Sequence, residues 1–313
     1  MNILIAEPKN FSVKALERLS ALGQITCRAT DQKMIRQALS EYDVIWVRLG
    51  LTVRATDISA STRCRYIITA TTGLNHLDLD ALNMAGIEVL SLQGHTAFLE
   101  SITATAEHTI GLLLALLRNI PAAHKSVLQG QWDRDLFKGH EVSSKTIGII
   151  GYGRLGKIVA FYCTALRMRV LIYDPYVSKV AEGCNLLQSL DELLDSVDYI
   201  TIHVPLNEET EGFFDDRFFS MIRQGTYFIN TSRGELIDEA VLLSALESGR
   251  LAGAALDVIC SEEFFSWKNP LVRYAEKHDN LLLTPHIGGC TWESMSKCEV
   301  FMAEMLLRRL AKQ

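Results

Sequence analysis

The sequence predicts an α/β fold with parallel sheets, and three observations predict it. Short β-branched, apolar stretches alternate with amphipathic ones along the chain. Several of the apolar stretches have no polar face, as strands covered by helices on both sides must. The length of 313 residues points to two domains.

Taken in order, residues 3–6, 44–47, 66–70 and 88–90 read as strands, separated by amphipathic pieces at 13–22, 33–39 and 80–85. After residue 100 the alternation resumes, with strands at 146–150, 169–173, 199–203, 226–230, 252–258 and 281–284. Helices are expected at 155–166, 190–195, 238–248 and 292–310. Ser189 and Glu192 have the spacing of a capping box, Asp238 stands where an N-cap belongs, and Gly249 closes that helix. An apolar helical pattern over 103–127 reads either as a bridge between two halves or as one buried helix inside a single domain.

Composition excludes several classes. Apolar residues make up 48% and charged ones 22%, the balance of a globular protein. A net charge of -6 without a basic run leaves no footprint for nucleic acid or an anionic membrane. The longest apolar run, Ile110 to Leu117, is too short to span a bilayer. The start, Asn2-Ile3-Leu4-Ile5-Ala6, lacks the basic region of a signal peptide. Seven cysteines, at 27, 64, 163, 184, 260, 290 and 298, form no Cys-x-x-Cys pair. Reduced thiols in a cytoplasmic protein are expected, with neither a disulfide framework nor a metal site.

The sharpest motif is Gly151-x-Gly153-x-x-Gly156, between a buried strand and an amphipathic helix. Gly151 permits the tight turn, Gly153 lets backbone approach a pyrophosphate, and Gly156 lets helix pack on strand. The helix N-terminus then offers unpaired N–H groups to phosphate. The next strand ends in Asp174, which would accept bonds from ribose hydroxyls. Pro175 and Tyr176 bring no cation for a 2′-phosphate, so NAD is expected over NADP.

Ligands of open α/β sheets bind beyond the carboxyl ends of the strands. That rule selects His203-Val204-Pro205, Thr231-Ser232-Arg233-Gly234, Asp257 with Glu262 in the loop beyond, and Pro285-His286. Oxidising a 2-hydroxy acid needs a base, a cation for the carboxylate and a nicotinamide beside C2. His286 suits the base, because histidine titrates near neutrality. Glu262 would fix its ring and favour the imidazolium, and Arg233 offers bidentate recognition of a carboxylate. Each also has a plain structural alternative: Glu262 and Glu263 as a solvated turn, Arg233 paired with Asp238, His286 as a helix cap. The order Arg, Glu, His at strand ends after a dinucleotide motif favours the catalytic assignment.

These stretches resemble the D-isomer-specific 2-hydroxyacid dehydrogenases, a family that includes D-3-phosphoglycerate dehydrogenases. The resemblance runs over nearly the whole chain. It rests on the glycine motif with Asp174, on His203-Val204-Pro205-Leu206 followed by Thr210, and on Asn230-Thr231-Ser232-Arg233-Gly234-x-x-x-Asp238. It continues through Ala254-Ala255-Leu256-Asp257-Val258 and Pro285-His286-Ile287-Gly288-Gly289. It implies Arg233, Glu262 and His286 as the catalytic set and Asp257 as the contact of the nicotinamide carboxamide. It places Arg154 and Leu155 at the pyrophosphate, and His203, Pro205, Thr210, Thr231, Ser232 and Gly288 along the cofactor cleft. Backbone N–H groups of Thr72, Gly73 and Leu74 would hold the substrate carboxylate. Arg48 matches the position that contacts phosphate in phosphoglycerate members.

The resemblance further implies two Rossmann-like or flavodoxin-like domains with a cleft between them. Residues 1–98 with 288–313 would form the substrate domain and 99–287 the NAD-binding domain, in a homodimer. The implied reaction interconverts a small D-2-hydroxy acid, 3-phosphoglycerate among the candidates, and its 2-keto acid. NAD-sensing corepressors share the fold and the triad, so a binding protein is the alternative; the order of the triad argues against an alanine dehydrogenase. Departures bear on substrate. Thr71 replaces a usual Gly, Asn75 a usual Asp and Glu263 a usual Pro, Leu49-Gly50 follows Arg48, and 91–102 is longer than usual. With Gln313 as the last residue, no regulatory domain and no serine feedback are expected.

Overall fold

The computed structural model describes residues 1–311, which divide into two compact units. One comprises Met1–Ile102 with the segment from Thr291, and the other runs Thr103–Cys290. The borders fall a few residues C-terminal of 98/99 and 287/288. The reason at the first border is packing: Leu99 and Ile102 are buried in the first unit's core.

In the first unit, β1 (Asn2–Ile5), α1 (Val13–Leu19), β2 (Gln24–Cys27), α2 (Ile35–Glu41), β3 (Val44–Val47), β4 (Tyr66–Thr69), α3 (Leu79–Met84), β5 (Glu88–Leu90) and α4 (Thr96–Leu99) follow one another. The five strands form one parallel sheet in the order β2-β1-β3-β4-β5. Alternation along each strand makes two apolar layers. Ile3, Ile5, Val44, Trp46 and Ile68 share a core with Leu19 of α1 and with Met302 and Leu306. Leu4, Ile45, Val47 and Ile67 face the other way, onto Ile35 and Leu39 of α2 and Leu82 of α3.

The second unit contains α5 (Ala104–Leu117), α6 (Ile120–Leu128), β6 (Thr146–Ile150), α7 (Arg154–Ala165), β7 (Arg169–Tyr173), β8 (Cys184–Leu186), α8 (Leu190–Ser196), β9 (Tyr199–Ile202), α9 (Asp216–Met221), β10 (Thr226–Asn230), α10 (Glu239–Glu247), β11 (Leu251–Leu256), α11 (Pro270–Ala275) and β12 (Leu281–Leu283). Its seven parallel strands run β12-β11-β10-β9-β6-β7-β8. Ile147, Ile149, Val170 and Ile172 pack against α5 and α7. Ile150, Leu171, Ile200, Ile202 and Phe228 pack on the side of α8, α9 and α10. The chain then returns to the first unit as α12 (Trp292–Leu310). Strand order reverses between β6 and β9, and in the smaller sheet between β1 and β3, so each sheet has a switch point where ligands of such folds bind.

Two local expectations are corrected. The helical pattern over 103–127 is broken at Asn119, which adopts φ 52°, a left-handed residue that no helix continues through. Ser189 occupies the N-cap of α8, yet its side chain makes no capping bond there. Asp238 does cap α10, accepting from the N–H groups of Ala240 and Val241, and Gly249 takes φ 71° beyond its end. Among the described residues, no helix is long and apolar enough to cross a membrane.

Candidate active site

The dinucleotide turn is built from the sequence upward. The buried strand β6 ends at Gly151, whose φ of 92° disfavours any side chain. A Cβ there would come within 2.6 Å of the His203 carbonyl oxygen, so Gly151 also allows the ends of β6 and β9 to meet. Gly156 lets α7 lie on the turn: a Cβ at that position would sit 2.1 Å from the Gly151 carbonyl oxygen. Gly153, at the N-cap of α7, has open space where its Cβ would be, and no side chain caps the helix. Arg154 and Leu155 begin α7, so their backbone stands at that opening. A pyrophosphate fits this arrangement, because a helix N-terminus with open space beside its N-cap glycine can receive phosphate.

At the end of β7, Asp174 anchors both sides of the turn. Its Oδ2 accepts from the Tyr152 N–H at 2.7 Å and its Oδ1 from the Tyr176 N–H at 2.9 Å. Each oxygen keeps an acceptor direction that a ribose hydroxyl can use. Across the switch point, the Thr210 hydroxyl donates to the Pro205 carbonyl at 2.7 Å and braces the loop after β9. His203, whose carbonyl adjoins Gly151, is 9% exposed, with Nε2 3.1 Å from the Thr201 hydroxyl. Burial pushes its imidazole down to about 4, so it is neutral at ordinary pH.

Three further strand ends carry the charged residues. Beyond β10, the Asn230 amide holds the Arg233 carbonyl at 2.8 Å and accepts from the Ser232 N–H at 2.8 Å. The Ser232 hydroxyl donates to the Ile202 carbonyl at 2.8 Å, and the Thr231 hydroxyl meets that of Thr109 at 2.8 Å. Gly234 lets this loop press on the backbone leading to Glu262, since a Cβ would lie 2.0 Å from the Ile259 carbonyl carbon. Burial lowers the Arg233 guanidinium, with Glu262 and Glu235 opposing that shift. Its Nη1 donates to the Ser232 carbonyl at 2.6 Å.

Beyond β12, His286 Nδ1 lies 2.7 Å from Glu262 Oε2. Both residues sit where backbone conformation is unusual: His286 has φ 52°, and Ser261, immediately before Glu262, has φ 56°. Such left-handed residues persist where the surroundings fix them. Here Asp257 does so. Its carbonyl accepts from the His286 N–H at 2.8 Å, its Oδ1 from the Ile287 N–H at 2.9 Å and its Oδ2 from the Gly288 N–H at 2.7 Å. Oδ1 also receives the Thr284 hydroxyl at 2.6 Å and lies 3.2 Å from His108 Nε2. Burial alone would raise the Asp257 carboxyl, but these donors hold it below the ordinary aspartate range. Thus Arg233, Glu262 and His286 come together at one sheet edge, with Asp257 behind them. His108 and Thr284 complete the network, and no motif in the sequence marks either as part of it.

The remaining sequence-selected residues belong to the first unit. The N–H groups of Thr72, Gly73 and Leu74 find no acceptor among the described residues. The Thr71 hydroxyl braces that loop by donating to the Gly73 carbonyl at 2.8 Å. Consecutive unpaired amides of this kind suit an anion. Arg48 is committed elsewhere: Nη2 pairs with Glu299 Oε1 at 2.5 Å and Nη1 donates to the Lys9 carbonyl at 2.8 Å. Glu299 is 2% exposed. Glu7 accepts from the backbone N–H of Arg48 and, at 3.0 Å, of Gly50.

Comparison with known proteins agrees with this construction. D-3-phosphoglycerate dehydrogenase of Archaeoglobus fulgidus is 38% identical over 309 residues, 97% of this chain and 56% of that protein. The chain spans about half the length of the curated relatives it matches. NAD-dependent formate dehydrogenase from Staphylococcus aureus, solved with NAD, aligns with TM-score 0.85 and 28% identity over 99% of this chain and 96% of that one. D-lactate dehydrogenase from Aquifex aeolicus, solved with NAD and lactic acid, aligns with TM-score 0.83 and 26% identity over 100% and 96%. Residues 110–288 match the model of the D-isomer specific 2-hydroxyacid dehydrogenase, NAD binding domain. By fold, by glycine turn and by that match, the chain belongs to the D-isomer specific 2-hydroxyacid dehydrogenase family.

Proposed function

We propose that the chain is an NAD-dependent dehydrogenase interconverting a small D-2-hydroxy acid and its 2-keto acid. One observation carries the reading: His286 Nδ1 is held 2.7 Å from a carboxylate oxygen of Glu262, at the sheet edge that also presents Arg233. With Nδ1–H donated to Glu262, Nε2 is the ring nitrogen left for a substrate. In oxidation, Nε2 takes the C2 hydroxyl proton; in reduction, it returns that proton to the C2 oxygen. Arg233 pairs with the substrate carboxylate and polarises the carbonyl oxygen, a task suited to its planar fork. Thr72, Gly73 and Leu74 are assigned to substrate binding through their backbone amides. NAD, held by the glycine turn and Asp174, would supply the hydride chemistry at C2. Asp174, Arg154, Leu155, Pro205, Thr210, Thr231, Ser232 and Gly288 are assigned to cofactor binding. His203, whose carbonyl meets the glycine turn, is assigned with them.

Substrate choice follows from Arg48. Its guanidinium already has a buried carboxylate partner, so acids without a phosphate are the expected substrates. We further propose a homodimer in the cytoplasm. Exposed Ile120, Val127, Leu128, Trp132 and Leu136 cluster in one stretch of chain, which supports pairing of copies. All seven cysteines are free thiols, which supports a reducing compartment.

The test is a panel of 2-keto acids, including pyruvate, hydroxypyruvate and 3-phosphohydroxypyruvate, with NADH absorbance as readout. Turnover of an unphosphorylated acid is expected, with the phosphorylated one poorer. His286→Ala should lower kcat by roughly 10²- to 10⁴-fold, the span of general acid–base catalysis, while NADH binding persists. Absence of turnover across the panel, together with NAD-dependent capture of a protein partner, would replace the enzyme by a binding protein.

A further inference from the structure

Behind the residues assigned to catalysis, helix α5 turns a polar face toward the strand ends. Thr105, His108 and Thr109 stand at i, i+3 and i+4, so they share that face. The Thr109 hydroxyl meets that of Thr231 after β10 at 2.8 Å. His108 Nε2 reaches Asp257 after β11 and the Thr284 hydroxyl after β12, at 3.2 and 3.1 Å. The Thr105 side chain lies 3.1 Å from where a Cβ of Gly288 would be. A helix otherwise buried through Leu112, Leu113, Leu116 and Leu117 thus spends its first turns on polar contacts with three loops.

The protons in this cluster can be assigned. Thr284 has one hydroxyl hydrogen, and at 2.6 Å it goes to Asp257 Oδ1. His108 Nε2 faces the same carboxylate oxygen and the lone pairs of the same hydroxyl. Only a protonated Nε2 satisfies both, because a bare nitrogen would oppose the anion. Asp257 Oδ1 therefore gathers three donors: His108, Thr284 and the Ile287 N–H. This load fixes the rotation of the carboxylate, and the same rotation aims Oδ2 at the Gly288 N–H. Two successive amides, 287 and 288, thus hang on the carboxylate, next to the 286 amide held by the Asp257 carbonyl.

We infer that His108 is a positioning residue: through the Asp257 carboxylate it holds the 287 and 288 amides, and so steadies the adjoining left-handed backbone that aims the His286 ring at Glu262. The inference rests on the assignment of His286 as the proton-transfer group. His108 itself does not touch the reacting atoms in this scheme. Remove its N–H, and Oδ1 loses a donor that neither Thr284 nor Ile287 can replace. The carboxylate then rocks, Gly288 loses its acceptor intermittently, and the imidazole wanders from Glu262.

The experiment compares the full chain with His108→Ala and His108→Gln, the latter offering an amide N–H in place of Nε2–H. Amide hydrogen exchange is measured without substrate, and steady-state kinetics on the best acid of the panel. For His108→Ala the Ile287 and Gly288 amides should exchange roughly tenfold faster while those of α7 and α10 keep their rates, as local opening requires. The kcat should fall roughly ten- to a hundredfold with KM for the acid little changed, the cost of misaiming a catalytic group. His108→Gln should recover most of both. Unchanged exchange at 287 and 288, a uniform acceleration across residues 103–290, or no recovery with Gln would each overturn the inference. Because exchange is read without substrate, its outcome stands apart from whether any acid is turned over.

Discussion

At the scale of single residues, His203 and His108 divide the work differently. His203 was selected by its place after a strand, and its sequence context is that of a cofactor contact. The structure buries its side chain, and burial pushes the imidazole down to about 4 from an ordinary 6.5. The unfolded chain binds that proton more readily, so the neutral ring's contribution to stability is present above pH 6.5 and is lost as pH falls toward 4. At pH 5 the loss amounts to about 2 kcal/mol. Urea midpoints at pH 7 and pH 5 should therefore differ more for the wild type than for His203→Gln, and equal differences would refute the account. Arg233 and His286 follow strands within local motifs and Glu262 lies in the loop beyond another, so their meeting at one sheet edge was legible. His108 was not, since its partner Asp257 lies 149 residues away and nothing around it in the apolar helix marks it.

At the scale of elements, strands buried on both faces announced themselves. The interior strands β3, β4, β6 and β9 were legible to within a residue or so, because unbroken apolar runs leave few alternatives. The edge strands β2 and β8 were not, since their residues are mixed and partly exposed. Short helices such as α9 and α11 carry too few turns for a periodicity to show. The break between α5 and α6 was hidden because apolar residues continue through it, while one backbone torsion at Asn119 ends the helix. Asn tolerates that conformation and a β-branched residue does not. Asn119→Val should cost about 1–2 kcal/mol in thermal or urea melts, and Asn119→Gly should be close to neutral. Equal effects of the two would mean that the torsion is not what positions α6.

At the scale of the whole molecule, the proposed pairing of copies is a matter of exposed apolar surface. Trp132 is 90% exposed, Leu128 74% and Leu136 65%, values a lone chain has no reason to favour. Sedimentation should report twice the 35.0 kDa chain mass, and Leu128→Glu with Trp132→Glu should return a monomer; a monomeric wild type would refute the pairing. The two-unit plan has a different consequence, one for synthesis. The strands of the first sheet leave the ribosome first, yet their core also needs Met302, Ala303 and Leu306. The second unit is contiguous from Thr103 to Cys290 and can close as soon as it emerges. The nascent chain therefore finishes its middle before its beginning, and the earliest strands wait, half covered, for a helix translated almost three hundred codons later.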